Sequence, residues 1–387
     1  MPLCFMEREA TLSFFLYKFC RICYNKKDMK IIHTGDIHIG AAFSFLDSDK
    51  ARLRQAEITD GFRRLCTYAR ENKIEVVLIA GDLFDDNALS KSEKSEVFAA
   101  IAAAAPTHFF YVSGNHDDEF YAQEQLPQNL HLFSKNHGWQ AYDLTENITV
   151  TGMDTRNFSM EKFGEIPLDS TRFNIMLLHG DIAQNTGKES IPLTLLAQKP
   201  IDYLALGHIH KPDLQSLRFG VRGKYRYCGC LEGRVFDEVG VRGFFLLDIQ
   251  NGKICDETFY SLSTREVCEI RVDITSCQNY AEIENAVFAA VANVPKTHLV
   301  KVVLCGVYTL GLQKEISLLT HKLCQQFFHA RVDDSSRLAF RAEAYENDQS
   351  LCGAFVREVG RYAFNDRQRD EILEIGLKAL HGENIDL

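Results

Sequence analysis

The chain has one tryptophan, eight prolines and no apolar run near the ~18 residues that cross a bilayer. It also lacks internal repeats, low-complexity tracts and any Gly/Pro periodicity, which excludes solenoid, collagen-like and disordered architectures. Positive charge is not in surplus: 43 Lys and Arg face 53 Asp and Glu, a formal net charge of −10. A protein whose whole surface follows a phosphate backbone is basic. Any nucleic-acid contact here must therefore be local, metal-assisted or shared with a partner. A disulfide framework is missing too, since the twelve cysteines amount to about three per hundred residues. Cys20 and Cys23 form one C-x-x-C without a second pair, while Cys66, Cys268, Cys305 and Cys324 stand singly in apolar stretches. These read as reduced thiols and small buried hydrophobes of a cytoplasmic protein.

What is present is an ordinary globular composition, 46% hydrophobic over 387 residues. At ~150 residues per domain this length suggests two domains, or three if one is small. Residues 1–28 stand apart. Their apolar stretch Leu12–Tyr17 is short and preceded by Glu7, Arg8 and Glu9, so neither a signal peptide nor a membrane anchor is expected. They read as a loosely attached extension. From Met29 onward strand-length apolar runs alternate with helical patterns: Lys30–His33, Glu75–Ala80, His108–Val112, Thr149–Gly152, Asn174–Leu178 and Tyr203–Leu206. A long helix is expected over Ala51–Asn72, with Leu53, Ile58, Phe62, Leu65 and Ala69 on one stripe. Ser90-x-x-Glu93 reads as a capping box for a second helix. Asn251-Gly252 marks a hairpin between Arg242–Asp248 and Lys253–Ser261. Continuous apolar strands with helices between them argue for an α/β sheet covered on both faces. After Arg265 comes a β-α-β-α-β module, with its second helix expected over Leu312–Phe327. Two tail helices come next, with stripes Leu351, Phe355, Val359, Tyr362 and Ile372, Ile375, Leu380, and Asn365 as N-cap of the second.

Five short segments carry the chemistry, and each lies just after a predicted strand: Gly35-Asp36-Ile37-His38, Gly81-Asp82-Leu83-Phe84-Asp85, Gly114-Asn115-His116-Asp117, His179-Gly180-Asp181 and Gly207-His208-Ile209-His210. In an open α/β sheet the C-terminal ends of strands form the rim where ligands bind. Asp36 and His38, two apart on extended backbone, leave by the same face, and His208 and His210 repeat that spacing. Asn115 and His116 are adjacent and point apart, one toward a metal and one toward substrate. The candidate ligands are Asp36, His38, Asp82, Asn115, His179, His208 and His210, an oxygen and nitrogen set without thiolate. Such a set suits Mn²⁺, Fe²⁺ or Zn²⁺. Asp85, Asp117 and Asp181 read as loop-holding residues, and His33, His108, His131 and His137 as ordinary histidines.

In order and spacing these segments resemble the calcineurin-like metallophosphoesterase superfamily. The resemblance implies a two-layer β-sandwich flanked by helices, with Asp36, His38, Asp82 and His210 on one metal. Asp82 would bridge to a second metal completed by Asn115, His179 and His208, and His116 would be the catalytic histidine. The opening Lys30–Gly40 and the stretch Tyr227-Cys228-Gly229-Cys230-Leu231-Glu232-Gly233-Arg234-Val235-Phe236-Asp237-Glu238 are similar to SbcD-type DNA repair exonucleases, with Cys228 where proline is usual. That likeness implies a catalytic domain over 29–265, a DNA-facing α/β cap over 266–345 and a helical tail over 346–387. It further implies two divalent ions (Mn²⁺ foremost), 3′→5′ exonuclease and single-strand endonuclease activity, and DNA and an SMC-like ATPase of SbcC type as partners, with a homodimer as the assembly to expect.

Lys211, Arg218, Arg222, Lys224 and Arg226 come after the last ligand motif with only Asp213 against them, and offer a basic lip for phosphates. The tail stripes fit either packing on their own domain or a helix-in-groove contact with the ATPase. Two other functions compete with the nuclease: a phosphatase or cyclic-nucleotide phosphodiesterase on the same core, and a scaffold that has lost its metals. The roughly 120 residues after Arg265 weigh against the first, and the presence of every candidate ligand weighs against the second.

Overall fold

The computed structural model describes residues 20–21, 28–85, 89, 91–117, 126–133, 136–182, 189–309, 311–339, 345 and 347–382. They divide into two compact units: Met1–Glu232 with Arg242–Thr264, and Gly233–Val241 with Arg265–Leu387. Most of the expected extension, and Ser90 of the expected capping box, lie outside the described residues.

The first unit contains thirteen described strands: β1 (Cys20–Arg21), β2 (Asp28–Thr34), β3 (Val76–Ala80), β4 (His108–Val112), β5 (Leu130–Phe133), β6 (Gln140–Asp143), β7 (Ile148–Gly152), β8 (Phe173–His179), β9 (Tyr203–Gly207), β10 (Leu217–Phe219), β11 (Gly223–Tyr227), β12 (Gly243–Gln250) and β13 (Lys253–Ser261). They form a six-stranded sheet, β13-β12-β2-β3-β4-β5, and a seven-stranded sheet, β1-β6-β7-β8-β9-β11-β10. Period-2 alternation explains why the central strands read as unbroken apolar runs. In β3, Val76, Leu78 and Ala80 face the second sheet in one core, while Val77 and Ile79 face the helices in another. Ile175, Leu177, Tyr203 and Ala205 meet the first set from the opposite layer, and Met176, Leu178, Leu204 and Leu206 cover the outer side of their own sheet. The expected two-layer sandwich flanked by helices is therefore present.

Helix α1 (Ser48–Glu71) starts at Asp47, whose side chain accepts from the Lys50 amide. It buries Arg54, Ile58, Phe62, Leu65 and Ala69; Leu53, placed on the stripe by the sequence, is 45% exposed because the buried face begins one residue later. Helix α2 (Lys91–Ala103) packs Val97, Phe98 and Ile101 into the same core. Asn251 (φ 49°) and Gly252 (φ 70°) close the β12–β13 hairpin with the two left-handed residues that a type I′ turn requires. Two shorter helices, α3 (Met160–Gly164) and α4 (Leu193–Leu196), were not expected. Strands β2, β3 and β4 run parallel, as do β7, β8 and β9, so within each sheet their C-terminal ends lie on one rim.

The second unit has a parallel sheet β14-β15-β17 (Val267–Asp273, Leu299–Cys305, His329–Asp334) and a two-stranded pair β16-β18 (Val307–Tyr308, Arg337–Leu338). Helices α5 (Tyr280–Ala290), α6 (Ile316–Cys324), α7 (Leu351–Val359) and α8 (Asp366–Leu380) complete it. Helix α6 is shorter than the expected Leu312–Phe327. Gly311 (φ 86°) and Glu315 (φ 44°) take left-handed backbone, which turns the chain just before the helix. The tail stripes also differ. Val356, Val359, Leu373 and Leu377 are buried in this unit's core, while Leu351 and Tyr362 are 71% and 57% exposed, one in the first turn and one beyond the helix end. Asn365 caps α8 in a full capping box with Gln368. No helix among the described residues is long and apolar enough to cross a membrane.

Candidate metal centre

The five segments converge at the rim formed by the ends of β2, β3, β4, β8 and β9. Their backbones are zipped together: the amides of Asp36, Ile37 and His38 donate to the carbonyls of Gly81 and Asp82 at 2.8–3.0 Å. Two glycines are required here by close approach. A Cβ on Gly81 would stand 2.2 Å from Nδ1 of His179, and one on Gly114 would stand 2.1 Å from Oδ1 of Asp82. Asp36, His38, Asp82 and His208 hold left-handed backbone at φ 49°, 51°, 48° and 101°. Non-glycine residues in that region cost on the order of 1 kcal/mol or more each, and such outliers gather at functional sites.

Oδ2 of Asp82 lies 3.5 Å from Nε2 of His38 and 3.5 Å from Nε2 of His179, midway between two groups of donors. On one side Nε2 of His38 is 3.3 Å from Nε2 of His210, and Asp36, His38 and His210 form a compact triad. On the other, Nε2 of His179 is 2.9 Å from Oδ1 of Asn115, Nδ1 of His179 is 3.6 Å from Oδ1 of Asp36, and the His208 ring centroid is 5.3 Å from that of His179. All seven expected ligand residues are thus brought together. Asp36, His38, Asp82 and His179 are fully or almost fully buried. Nδ1 of His179 sits 2.9 Å from the Ala80 carbonyl, which can only accept, so Nδ1 carries the proton and Nε2 keeps its lone pair for the site. Burial also holds the His179 pKa below the usual imidazole value. Four imidazoles, two buried carboxylates and an amide oxygen suit divalent ions that accept mixed oxygen and nitrogen ligation, and the donor atoms of Asp36, His38, Asp82, His179 and His210 fall in overlapping triads inside 4.8 Å.

His116 stands beside this cluster with its side chain half exposed and its ring centroid 5.1 Å from that of His38. Its amide donates to Oδ1 of Asp82 at 2.9 Å. Asp117 holds the loop as expected: its two oxygens accept from the amides of Phe84 and Gly114, and burial, reinforced by the charge on Asp82, pushes its pKa up to about 7. Asp85 does more than hold a loop. Its Oδ1 lies 3.6 Å from Nδ1 of His116, and it joins His38 and His116 in a third triad. The spacing Asp82-x-x-Asp85 was the available signal for this role. Glu189, 3.8 Å from Nδ1 of His208, carried no motif.

The expected basic lip is reduced to Lys211 and Arg218, which are exposed. Arg222 binds Asp202 and the carbonyls of Ser170, Arg172 and Pro200. Lys224 and Arg226 both pair with Glu257, and Arg226 is 2% exposed with its guanidinium 3.9 Å above the Phe245 ring. Lying opposite Ala205 in the ladder, Arg226 faces the interior between the sheets and is no surface contact for phosphate. Of the histidines read as ordinary, His33 meets the Tyr203 hydroxyl at 2.9 Å, and His108 and His131 pair with each other at 2.8 Å.

Residues 29–212 match the family model for the calcineurin-like phosphoesterase. This part of the chain is a calcineurin-like phosphoesterase domain, whose family uses a dinuclear metal site. Similar curated proteins include an uncharacterized metallophosphoesterase, YhaO, of Bacillus subtilis (25% identity, 59% of this chain and 60% of that protein). The SbcD component of the SbcCD nuclease of Staphylococcus epidermidis is 24% identical over 62% of this chain and 72% of its own length. The DNA double-strand break repair protein Mre11 of Haloferax volcanii is 24% identical over 67% of this chain and 58% of its own. The chain thus spans 58–72% of the lengths of these relatives.

Proposed function

We propose that the chain is a divalent-metal-dependent nuclease that hydrolyses phosphodiester bonds in DNA as a 3′→5′ exonuclease, working in the cytoplasm with an SMC-like ATPase of SbcC type. The observation that carries the reading is the gathering of six nitrogen and oxygen donor residues around Asp82, in a domain similar to nucleases of that name. Asp36, His38, Asp82 and His210 would hold one ion, and Asp82, Asn115, His179 and His208 the other. When bound, the two ions polarise the phosphodiester and supply a water-derived nucleophile at neutral pH.

The chain's own part is positional and protonic. The strained, zipped turns present ligands in place before substrate arrives. Asp85 restrains His116 through Nδ1, leaving Nε2 to steady a phosphate oxygen or give a proton to the departing oxygen. Lys211 and Arg218 are the surface cations left for phosphates beside the centre, and the second unit supplies the remaining DNA contacts. Because α7 and α8 bury their apolar stripes in their own unit, the ATPase must be met by their outward residues, such as Leu351 and Tyr362.

The test is a side-by-side assay of the purified chain with Mn²⁺ on end-labelled double-stranded DNA and on small phosphomonoesters and diesters, with a chelator control. Shortening of DNA from its 3′ ends is expected. Turnover of small phosphoesters with DNA left intact would replace the nuclease with a phosphatase or small-molecule phosphodiesterase.

A further inference from the structure

We propose that Thr155 is a positioning residue for the half of the metal centre built from Asn115 and His179, an inference that rests on the two-ion reading. Strand β7 ends at the same rim as the ligand-bearing strands yet offers no Asp, Asn or His of its own to the cluster. Beyond its end the chain makes a short 3₁₀ turn, Thr155–Asn157. Asp154 caps this turn by accepting from the Arg156 amide and is itself clamped by the Arg156 guanidinium at 2.6 and 2.8 Å. The turn therefore holds the Thr155 side chain in place, 4% exposed.

The Thr155 hydroxyl has one proton and faces two carbonyls, Ser113 at 2.9 Å and His179 at 3.3 Å. Ser113 follows the end of β4 of the six-stranded sheet and immediately precedes Gly114-Asn115-His116, and His179 ends β8 on the seven-stranded one. One shared proton thus ties the two layers together at the point where Oδ1 of Asn115 and Nε2 of His179 stand 2.9 Å apart. Each of these two residues contributes a single donor and hangs from a different sheet. Their spacing is fixed by what joins the sheets: the His179 ring is tied through Nδ1 to the Ala80 carbonyl, and the two backbones that carry Asn115 and His179 are tied through Thr155. The Asp36 and His38 pair needs no such tie, because both residues sit on one turn that is zipped to the Gly81-Asp82 backbone. The effect of losing the hydroxyl should fall on one ion only. Groups that orient metal ligands through a hydrogen bond typically affect affinity about 10- to 100-fold.

The experiment titrates metal-free full-length protein with Mn²⁺ by calorimetry, comparing wild type with Thr155→Val, which keeps the shape and removes the hydroxyl, and Thr155→Ser, which keeps the hydroxyl. Two binding events are expected for wild type. In Thr155→Val one weakens about 10- to 100-fold while the other stays put, and Thr155→Ser restores both with an unchanged thermal midpoint. If valine is not accommodated, Thr155→Ala, which only removes atoms, reads the same loss. Unchanged affinities in the hydroxyl-free variants would overturn the proposal, as would an equal weakening of both ions or a serine variant as impaired as valine. Wild-type protein that binds no second ion would overturn the two-ion reading itself, a distinct result.

Discussion

His33 sits three residues before Asp36 and is fully buried between the sheets, where its Nδ1 meets the Tyr203 hydroxyl at 2.9 Å. Burial, aided by the nearby charge of Arg226, lowers its pKa from 6.5 to about 3. The folded protein therefore keeps this ring neutral at pH values where the unfolded chain protonates it. Between pH 6.5 and about 3 the unfolded state binds the extra proton, so stability is full above 6.5 and falls as the pH drops through this window. One such proton is worth ~1.4 kcal/mol per pH unit, and the whole window is worth on the order of 5 kcal/mol. The perturbation is His33→Asn, whose amide can still meet the Tyr203 hydroxyl but does not titrate. With a denaturant sensitivity of about 3 kcal/mol/M, the wild-type urea midpoint should shift ~0.5 M per pH unit more steeply than the variant's between pH 5.5 and 4. The measurement is a set of urea melts across that range in the presence of a chelator. His108 and His131, whose pKa values are also lowered, and the carboxylates contribute to both proteins and cancel in the difference. Parallel pH dependences in the two proteins would refute the reasoning, since they would mean that His33 is protonated in the fold or that its surroundings open to water first.

Three further outcomes are expected. His116→Ala should keep divalent-ion binding by calorimetry and DNA binding by filter retention while losing about 10²- to 10⁴-fold in turnover; loss of bound metal would instead make His116 a ligand. Gly114→Ala brings a Cβ to 2.1 Å from Oδ1 and 2.8 Å from the backbone nitrogen of Asp82, so ion affinity should fall by about 10-fold or more, whereas Gly138→Ala, with nothing inside 4 Å, should change nothing. Leu377→Ala removes a fully buried side chain from the core of the second unit and should lower stability by about 2–5 kcal/mol in urea melts; a change below ~1 kcal/mol would mean that α8 is not part of that core.

The strands and the cluster of polar residues at their ends were legible in the sequence because both are local facts. A strand buried on two faces reads as an unbroken apolar run, as in Val76–Ala80, and a candidate donor at its end reads as Asp or His beside Gly. Strands such as β5 and β6 were not legible. Leu130–Phe133 is four residues carrying a histidine, and Gln140–Asp143 alternates with polar residues, so neither stands out from loop sequence. The basic lip failed for a different reason. Five cations within sixteen residues look like a surface feature, but Glu257 cancels Lys224 and Arg226 from 33 and 31 residues away, and Asp202 engages Arg222 from across the strand. Charge counted along a chain says nothing about charge folded against it.

The same separation between local and distant information governs the centre itself. Which residues gather at the rim is written in five short segments, but how they are held is not. The left-handed turns at Asp36, His38, Asp82 and His208 fall on non-glycine residues, where such backbone is uncommon, so the sequence does not mark them. Their cost is met by contacts from elsewhere: Gly81 and Asp82 carbonyls for the Asp36 turn, and the Asp36 carboxylate itself for the amide of His208, at 2.9 and 3.0 Å. That last contact is informative. Asp36 orients the turn that delivers His208 on the neighbouring sheet while lying 3.6 Å from His179, so a single carboxylate both faces the donor cluster and shapes a second part of it. Replacing Asp36 therefore removes more than one ligand, and its loss should be larger than that of any histidine in the set.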